Sequence, residues 1–371
     1  MPDGGRPVWA RVDLGRLGAN YRALAAFARR PLLPVLKADA YGHGGIAVAR
    51  RLVVEGAERL AVAFVEEGVV LREAGITVPI VVLGSMTAGQ VEAAAQQGLT
   101  PVISTPAALA AVPHAVRRAA RPWAVHLKVD TGMTRLGFAP EQAREAAGRL
   151  LEHEGVEIEG LMTHLASADE SEQVTARQLD AFDAVLARLH ADGIRPPLVH
   201  AANSAGLARL RPTHTLVRPG LLLYGLRPRP LSPPVDVQPV MSVSGRIALV
   251  REVPAGTAVS YGGRYMVRRA SRVGTIPLGY ADGVPRTAAM STDGWWGVRG
   301  QRVPVAGAVC MDFTAVDLTD HPQLAEGDAA VLFGDSPTAW DVADWAGTHA
   351  WQVLTAVGPR VPRLYVDSSR P

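Results

Sequence analysis

Eight short apolar runs punctuate the first two-thirds of the chain: Leu33–Leu36, Leu60–Phe64, Ile80–Leu83, Pro101–Ile103, Ala124–Val129, Val156–Met162, Leu198–Ala201 and Leu216–Val217. Between them lie stretches with helical spacing and good helix formers, such as Glu141–Glu152 and Ser171–Ala191. Strands that are apolar throughout, rather than alternating, are buried on both faces, and intervening helices supply that cover on a parallel sheet. Eight such βα units in about 200 residues favour a closed (β/α)8 barrel of the TIM type over an open sheet.

A proline-rich window follows, with Pro228, Pro230, Pro233, Pro234 and Pro239, where neither helix nor central strand is favoured. Beyond it the pattern changes to β-branched runs cut by Gly and Pro: Ser242–Val253, Arg272–Pro277, Val303–Val309 and Ala329–Phe333. These read as a smaller, mainly antiparallel β domain. The expected division is a barrel over residues 10–228 and a β domain over 229–371, with residues 1–9 packing on the latter. There is no internal repeat or low-complexity tract.

Composition removes several function classes. With 371 residues, 48% hydrophobic and 20% charged, the chain is a globular protein large enough for a sizeable core. No apolar run approaches the roughly 18 residues of a membrane span. The net charge of +3 and the isolated pairs Arg117-Arg118 and Arg268-Arg269 lack the basic run expected of a nucleic-acid module. The first residues hold no signal-like apolar stretch, and the single Cys310 excludes an internal disulfide, which points to a reducing, cytoplasmic setting. No H-E-x-x-H spacing suggests a metal, and Gly42 to Gly45 is too irregular for a dinucleotide loop.

The lysines are more informative. Of 38 Lys and Arg residues only two, Lys37 and Lys128, are lysine. A GC-rich coding bias accounts for swapping surface Lys for Arg. Lysine is irreplaceable where an amine must lose its proton, because guanidinium stays charged to about pH 12. Lys37 ends the first apolar run, and C-terminal strand ends carry the chemistry of such barrels. Pairing of Lys37 with a carboxylate such as Asp39 is the structural alternative.

The segment Lys37-Ala38-Asp39-Ala40-Tyr41-Gly42-His43-Gly44 closely resembles the pyridoxal-phosphate attachment signature of the alanine racemases. The resemblance continues through Trp9–Leu14, Lys128–Gly137, Met162-Thr163-His164, Asn203-Ser204-Ala205, Val217–Gly220, Val259–Gly262, Gly279–Gly283 and Cys310-Met311-Asp312. It implies a barrel followed by a β domain, with pyridoxal 5'-phosphate carried by Lys37 as a Schiff base. A Schiff base requires a neutral amine, which among side chains only lysine supplies. The resemblance assigns Tyr41, Ser204 and Gly220, with Asn203 and Leu221 nearby, to the phosphate. Leu83 and His164 line the cofactor, and Arg218 faces the pyridine nitrogen. Taken singly, Tyr41 also reads as a loop aromatic, Asn203-Ser204 as a helix cap, Arg218 as a strand-end ion pair and His164 as a core histidine.

By the same resemblance Lys37 and Tyr261 are the two catalytic bases, Lys37 handling the D-enantiomer and Tyr261 the L-enantiomer. Tyr261 acts within a chain through His164 and Arg218, and reaches the site across a head-to-tail homodimer. Arg135, with the Met311 backbone, receives the substrate carboxylate, Asp312 is a further substrate-binding residue, and Tyr265 and Tyr280 narrow the entrance. The implied activity is interconversion of L- and D-alanine, supplying D-alanine for peptidoglycan. Lys128 matches a position that is carbamylated in many relatives, which would orient Arg135. Trp351 departs from the family's phosphate-binding tyrosine, and indole can only donate a hydrogen bond, so weaker cofactor retention is expected. A racemase acting on serine or other amino acids, a basic amino-acid decarboxylase, and a non-catalytic cofactor or antibiotic binder are the competing readings. Arg218 opposes the decarboxylase, whose family places an acid at the pyridine nitrogen.

Overall fold

The computed structural model describes residues 5–119, 122–209, 214–231, 234–289 and 294–369; Pro233 and the chain ends 1–4 and 370–371 lie outside them. The chain divides into two compact units. One comprises Leu17–Ala40 and Gly45–Gln238, the other the described residues up to Arg16, Tyr41–Gly44 and those from Pro239 on.

In the first unit six parallel strands follow one another in sequence order: Leu60–Val62, Ile80–Val82, Thr100–Ile103, Trp123–Lys128, Val156–Met162 and Leu198–His200. All but the last two are almost wholly buried, as their uninterrupted apolar text requires. The remaining two apolar runs close the ring through single parallel bridges, Val35 to Ala61 and Leu32 to Val217, while Val199 O accepts from Thr215 and Leu216. Pro34 within the first run, with Pro31 and Pro219 flanking the two, has no N–H to give a ladder, which keeps the pairing to single bridges. The result is a TIM-like barrel. Its helices start where side-chain caps permit. Thr105 Oγ1 accepts from Ala108 ahead of a first-turn Pro106, and Ser171 Oγ accepts from Val174 to open the helix Glu172–Ala191.

The second unit holds a six-stranded sheet in the order Gln301–Pro304, Trp295–Val298, Ala329–Phe333, Met241–Arg246, Val8–Asp13 and Arg363–Val366. Only its last pair is parallel. A three-stranded antiparallel sheet, Thr314–Asp317, Ser271–Ile276 and Leu249–Val253, accompanies it. Sequence alone starts the barrel at residue 10; the structure instead seats the whole strand Val8–Asp13 between two strands of the β unit. The expected run Ser242–Val253 is two strands broken at Ile247-Ala248, and Val303–Val309 shortens to Gln301–Pro304. The helices Ala339–Ala346 and Ala350–Thr355 were not legible in the β-branched text around them.

Asp282 organises this unit. Its fully buried carboxylate accepts two bonds from Arg6, at 2.8 and 2.7 Å, two from Arg360 and one from Gly279 N–H. Burial opposes its charge, but Arg6, the Gly279 amide and Arg360 more than offset that and hold its pKa below the ordinary value. The stabilisation it supplies is fully present above the ordinary carboxylate pKa of about 3.9 and is lost as the pH falls below that value through the lower folded-state pKa. Asp282→Asn is expected to cost about 2–3 kcal/mol in urea unfolding at pH 7. That is somewhat less than the usual penalty for breaking a buried pair, because both arginines reach solvent.

Candidate active site

Lys37 opens a turn that side-chain sterics oppose. Ala38, Asp39, Ala40 and Tyr41 have φ of +53°, +53°, +55° and +53°. A left-handed turn costs an L-residue about 1–2 kcal/mol. Four consecutive cases mark a strongly over-determined position. Ala40 N–H bonds Leu36 O at 2.7 Å, and Asp39 spends Oδ1 on Gly45 N–H at 2.5 Å. The Lys37 ammonium is held below its ordinary pKa, first by desolvation and then by Arg135, against an opposing contribution from Glu67.

Arg218 is fully enclosed and follows the last barrel segment. Its Nη1 donates to His200 Nδ1 at 2.9 Å and His200 O at 2.8 Å; its Nη2 donates to Thr163 O, Ala201 O and His164 Nδ1 at 2.9, 3.0 and 3.3 Å. Every bond among the described residues leaves from the two Nη atoms. Nε is therefore the donor left over for a ligand. Desolvation brings the guanidinium down to about 10, so it remains a cation at neutral pH.

Because an arginine can only donate, it fixes the imidazoles behind it. His200 must accept at Nδ1, so its proton sits on Nε2, which bonds His126 Nδ1 at 2.9 Å. His126 then carries its proton on Nε2 and donates it to Glu159 Oε2 at 3.1 Å. Burial first, and the charge of Arg218 among others, keeps both histidines lowered and neutral, while the bond from His126 leads the causes that lower Glu159. This relay was missed from sequence, although His126, Glu159 and His200 each interrupt an apolar run. It depends on Gly160, which pairs with His126: a Cβ there would lie 2.4 Å from the imidazole Cγ and Nδ1.

Around Lys37 and Arg218 stand further cations. Lys128 ends the strand Trp123–Lys128, is 3% exposed, and is lowered to about 8 by desolvation, Arg135 and Arg218. Arg135 lies in a loop folded round Asp130, whose Oδ1 takes the N–H groups of Gly132, Met133 and Thr134, and it has no ion pair among the described residues. His164 is held well below its ordinary pKa by desolvation and then by Arg218, Lys128, Arg135 and Lys37. Four cations with little acidic company suit a ligand set carrying a phosphate and a carboxylate. Ser204 Oγ accepts from Gly220 N–H at 2.9 Å and Leu222 N–H at 3.3 Å, which places its own O–H donor among the backbone amides of that turn. Asn203 Oδ1 accepts from Gly206 N–H and so caps the short helix Ser204–Arg209; Leu221 begins the adjoining turn, and Leu83, half-buried, follows Ile80–Val82. The donors present, an amine, an unanswered guanidinium nitrogen and a hydroxyl among amides, fit pyridoxal 5'-phosphate.

The other expected residues belong to the β unit. Tyr41 lies in the segment clamped by Arg363, whose Nε and Nη2 bond Gly42 O, and burial raises its phenol to about 12. Tyr261 is 75% exposed on a tight turn whose preceding Ser260, at φ +62°, is anchored by donating to Ala308 O at 2.6 Å. Tyr265 donates to Asp317 at 2.5 Å, and desolvation with that carboxylate raises it to about 12, so its hydroxyl is committed. Gly279 allows two loops to touch, since a Cβ would meet Met311 O at 2.3 Å; Tyr280 and Ala281 N–H bond Cys310 O and Met311 O there. Met311 N–H has no partner among the described residues. Asp312 spends Oδ1 on Arg360 at 2.7 Å. Trp351 stacks on His349 at 4.4 Å and meets Trp340 edge-on at 6.0 Å. Among the described residues no His, Cys, Asp and Glu group is arranged to hold a metal, and no helix is long and apolar enough to cross a membrane.

Comparison with known proteins follows the same division. Residues 12–228 match the family "Alanine racemase, N-terminal domain" and residues 240–365 "Alanine racemase, C-terminal domain". Similar curated proteins are the alanine racemases of Symbiobacterium thermophilum, 42% identical over 98% of both chains, and Halothermothrix orenii, 41% identical over 97% of both. The crystal structure of the enzyme of D-cycloserine-producing Streptomyces lavendulae superposes with a TM-score of 0.90 at 37% identity, covering 99% of this chain and 98% of that one. For the relay, Gly160→Ala is expected to cost about 1–3 kcal/mol by urea unfolding, the range for overpacking a tight interior.

Proposed function

The chain belongs to the alanine racemase family of enzymes over nearly its whole length, and from that premise we propose that it interconverts L- and D-alanine with pyridoxal 5'-phosphate held at Lys37. The observation that carries the cofactor reading is Arg218, with both Nη atoms saturated and Nε left to donate. A pyridine nitrogen is an acceptor that suits it.

Bound there, the cofactor supplies an electrophilic carbon and a conjugated ring that withdraws electrons from the amino-acid Cα. The residues do the rest. Arg218 cannot accept a proton, so it keeps the pyridine nitrogen unprotonated and limits how far the ring draws charge, which disfavours side reactions. Ser204 and Gly220, with Tyr41, Asn203 and Leu221, take the phosphate; Leu83 and His164 line the ring. Arg135 and the Met311 N–H take the substrate carboxylate, with Asp312 and Arg360 steadying that loop and Tyr265 and Tyr280 bounding the entrance. Two bases on opposite faces of Cα are the simplest route to inversion. Lys37, its ammonium already lowered, serves one face. Tyr261 serves the other, contributed to the barrel site of a second copy in a homodimer, a role that suits its exposure. The product, D-alanine, serves peptidoglycan, with the cytoplasm as the working compartment.

Purified protein incubated with L-alanine in D2O is expected to incorporate deuterium at Cα and lose optical activity; a panel including serine sets its breadth. Lys37→Ala should abolish both signals, and Tyr261→Phe should slow conversion of L-alanine by about 100-fold or more. No exchange with any amino acid despite bound cofactor would make the chain a binder.

Lys128, lowered to about 8, offers a neutral amine to carbon dioxide near neutral pH. We assign it carbamylation, which converts a cation beside Arg135 into an anion that orients it. Native mass spectrometry in bicarbonate is expected to find one acid-labile CO2 adduct, absent in Lys128→Ala.

A further inference from the structure

We propose that Glu67 is a positioning residue for Lys37, tying the left-handed turn after the lysine to the loop at the end of the next barrel strand. This rests on the reading of Lys37 as the cofactor attachment point. Ala40 N–H bonds Leu36 O and Asp39 Oδ1 takes Gly45 N–H, both within the turn, and a bond from the amide that follows Lys37 to the loop after the next strand ties the start of the turn to the ring. Glu67 supplies that anchor. Its Oε1 accepts from Ala38 N–H at 2.6 Å, the amide immediately after Lys37. Its Oε2 accepts from Ala63 N–H at 2.7 Å and Phe64 N–H at 3.1 Å.

The residue does two jobs with one group. Glu67 is the third residue of the helix Val65–Glu73, where an acidic or amide side chain ordinarily reaches back to the capping N–H. Here only one oxygen is used for that purpose. The other crosses to the neighbouring segment, and both oxygens face donors only. A carboxylate satisfies both ends; an amide, with one acceptor and one donor, satisfies one. Glutamine therefore retains the helix cap and loses the anchor, which separates the proposed role from a purely structural one.

The strained turn holds Lys37 at a defined height on the barrel mouth only while something outside the turn opposes its relaxation. Loss of the Ala38 bond removes one restraint at the start of the turn, and the backbone after Lys37 then samples ordinary dihedrals more readily. The amine then swings away from Arg218 and Ser204, and cofactor retention falls.

The test uses full-length protein. In the wild-type apoprotein, amide exchange at Ala38 should be protected to a degree comparable with Phe64, although Ala38 lies at an exposed position. In Glu67→Gln, Phe64 protection and the thermal midpoint should be retained, Ala38 exchange should accelerate by about tenfold or more, and pyridoxal 5'-phosphate should bind at least about tenfold more weakly by titration. Glu67→Ala should lose protection at both amides. An Ala38 amide exchanging at the unprotected rate in wild type overturns the proposal, even if no variant folds. So does Glu67→Gln with unchanged Ala38 exchange or unchanged cofactor affinity. Borohydride reduction followed by peptide mapping separates the two claims: a wild type unlabelled at Lys37 overturns the functional reading and this inference with it, whereas a labelled wild type with an unaffected Glu67→Gln overturns this inference alone.

Discussion

A guanidinium withdrawn from water must have its donors answered inside the protein, and Arg218 imposes that demand on the barrel. Three backbone carbonyls meet it, those of Thr163, His200 and Ala201, at or just past the ends of two neighbouring strands. The same bonds that satisfy the charge thus draw the strand ends Met162 and His200 towards the segment after Val217. The remaining acceptors are imidazole nitrogens, and their acceptance sets the proton on the far side of each ring. From one arginine the polarity of a buried row of side chains is decided as far as Glu159.

That polarity has an electrostatic counterpart. Histidines that must accept from a cation cannot also be cations, so charge near Arg218 is confined to lysine and arginine. Those cations shape one another: Arg135 depresses both lysines, and Arg218 depresses Lys128. The barrel mouth is therefore a place where amines are cheap to deprotonate and anions are welcome. Neither property belongs to a single residue. Both follow from gathering several positive groups, Lys128 and Arg218 among them buried, near one ring of strand ends with few carboxylates among them.

Much of this was legible in the sequence, for identifiable reasons. The eight apolar runs predict eight parallel segments because burial on both faces leaves no room for alternation, and the resemblance carried by the Lys37 signature and its ordered companions points to the family that the whole-chain comparisons assign. The strand Val8–Asp13 was misplaced because its partners, Met241–Arg246 and Arg363–Val366, lie more than two hundred residues away, and nothing local reveals such pairing. The relay was invisible for a different reason. Periodicity treats His126 and His200 as blemishes in apolar runs, whereas their value lies in Gly160, a residue whose contribution is the absence of a side chain. Asn203 fits both a cap and a phosphate contact, because its Oδ1 makes the capping bond from Gly206 N–H while a phosphate would call on its amide nitrogen.

The turn from Ala38 to Tyr41 bears on how such a protein can be improved. Glycine would adopt these dihedrals at little steric cost, and a procedure that optimises the folded chain for stability would place it there. The sequence holds alanine, aspartate, alanine and tyrosine instead. A side chain at each position denies the segment the other conformations that glycine would open, so the strain is exchanged for a narrower set of backbone states on either side of the lysine. Stability and placement are opposed over these four residues, and sequence design guided by stability alone would resolve the conflict on the wrong side.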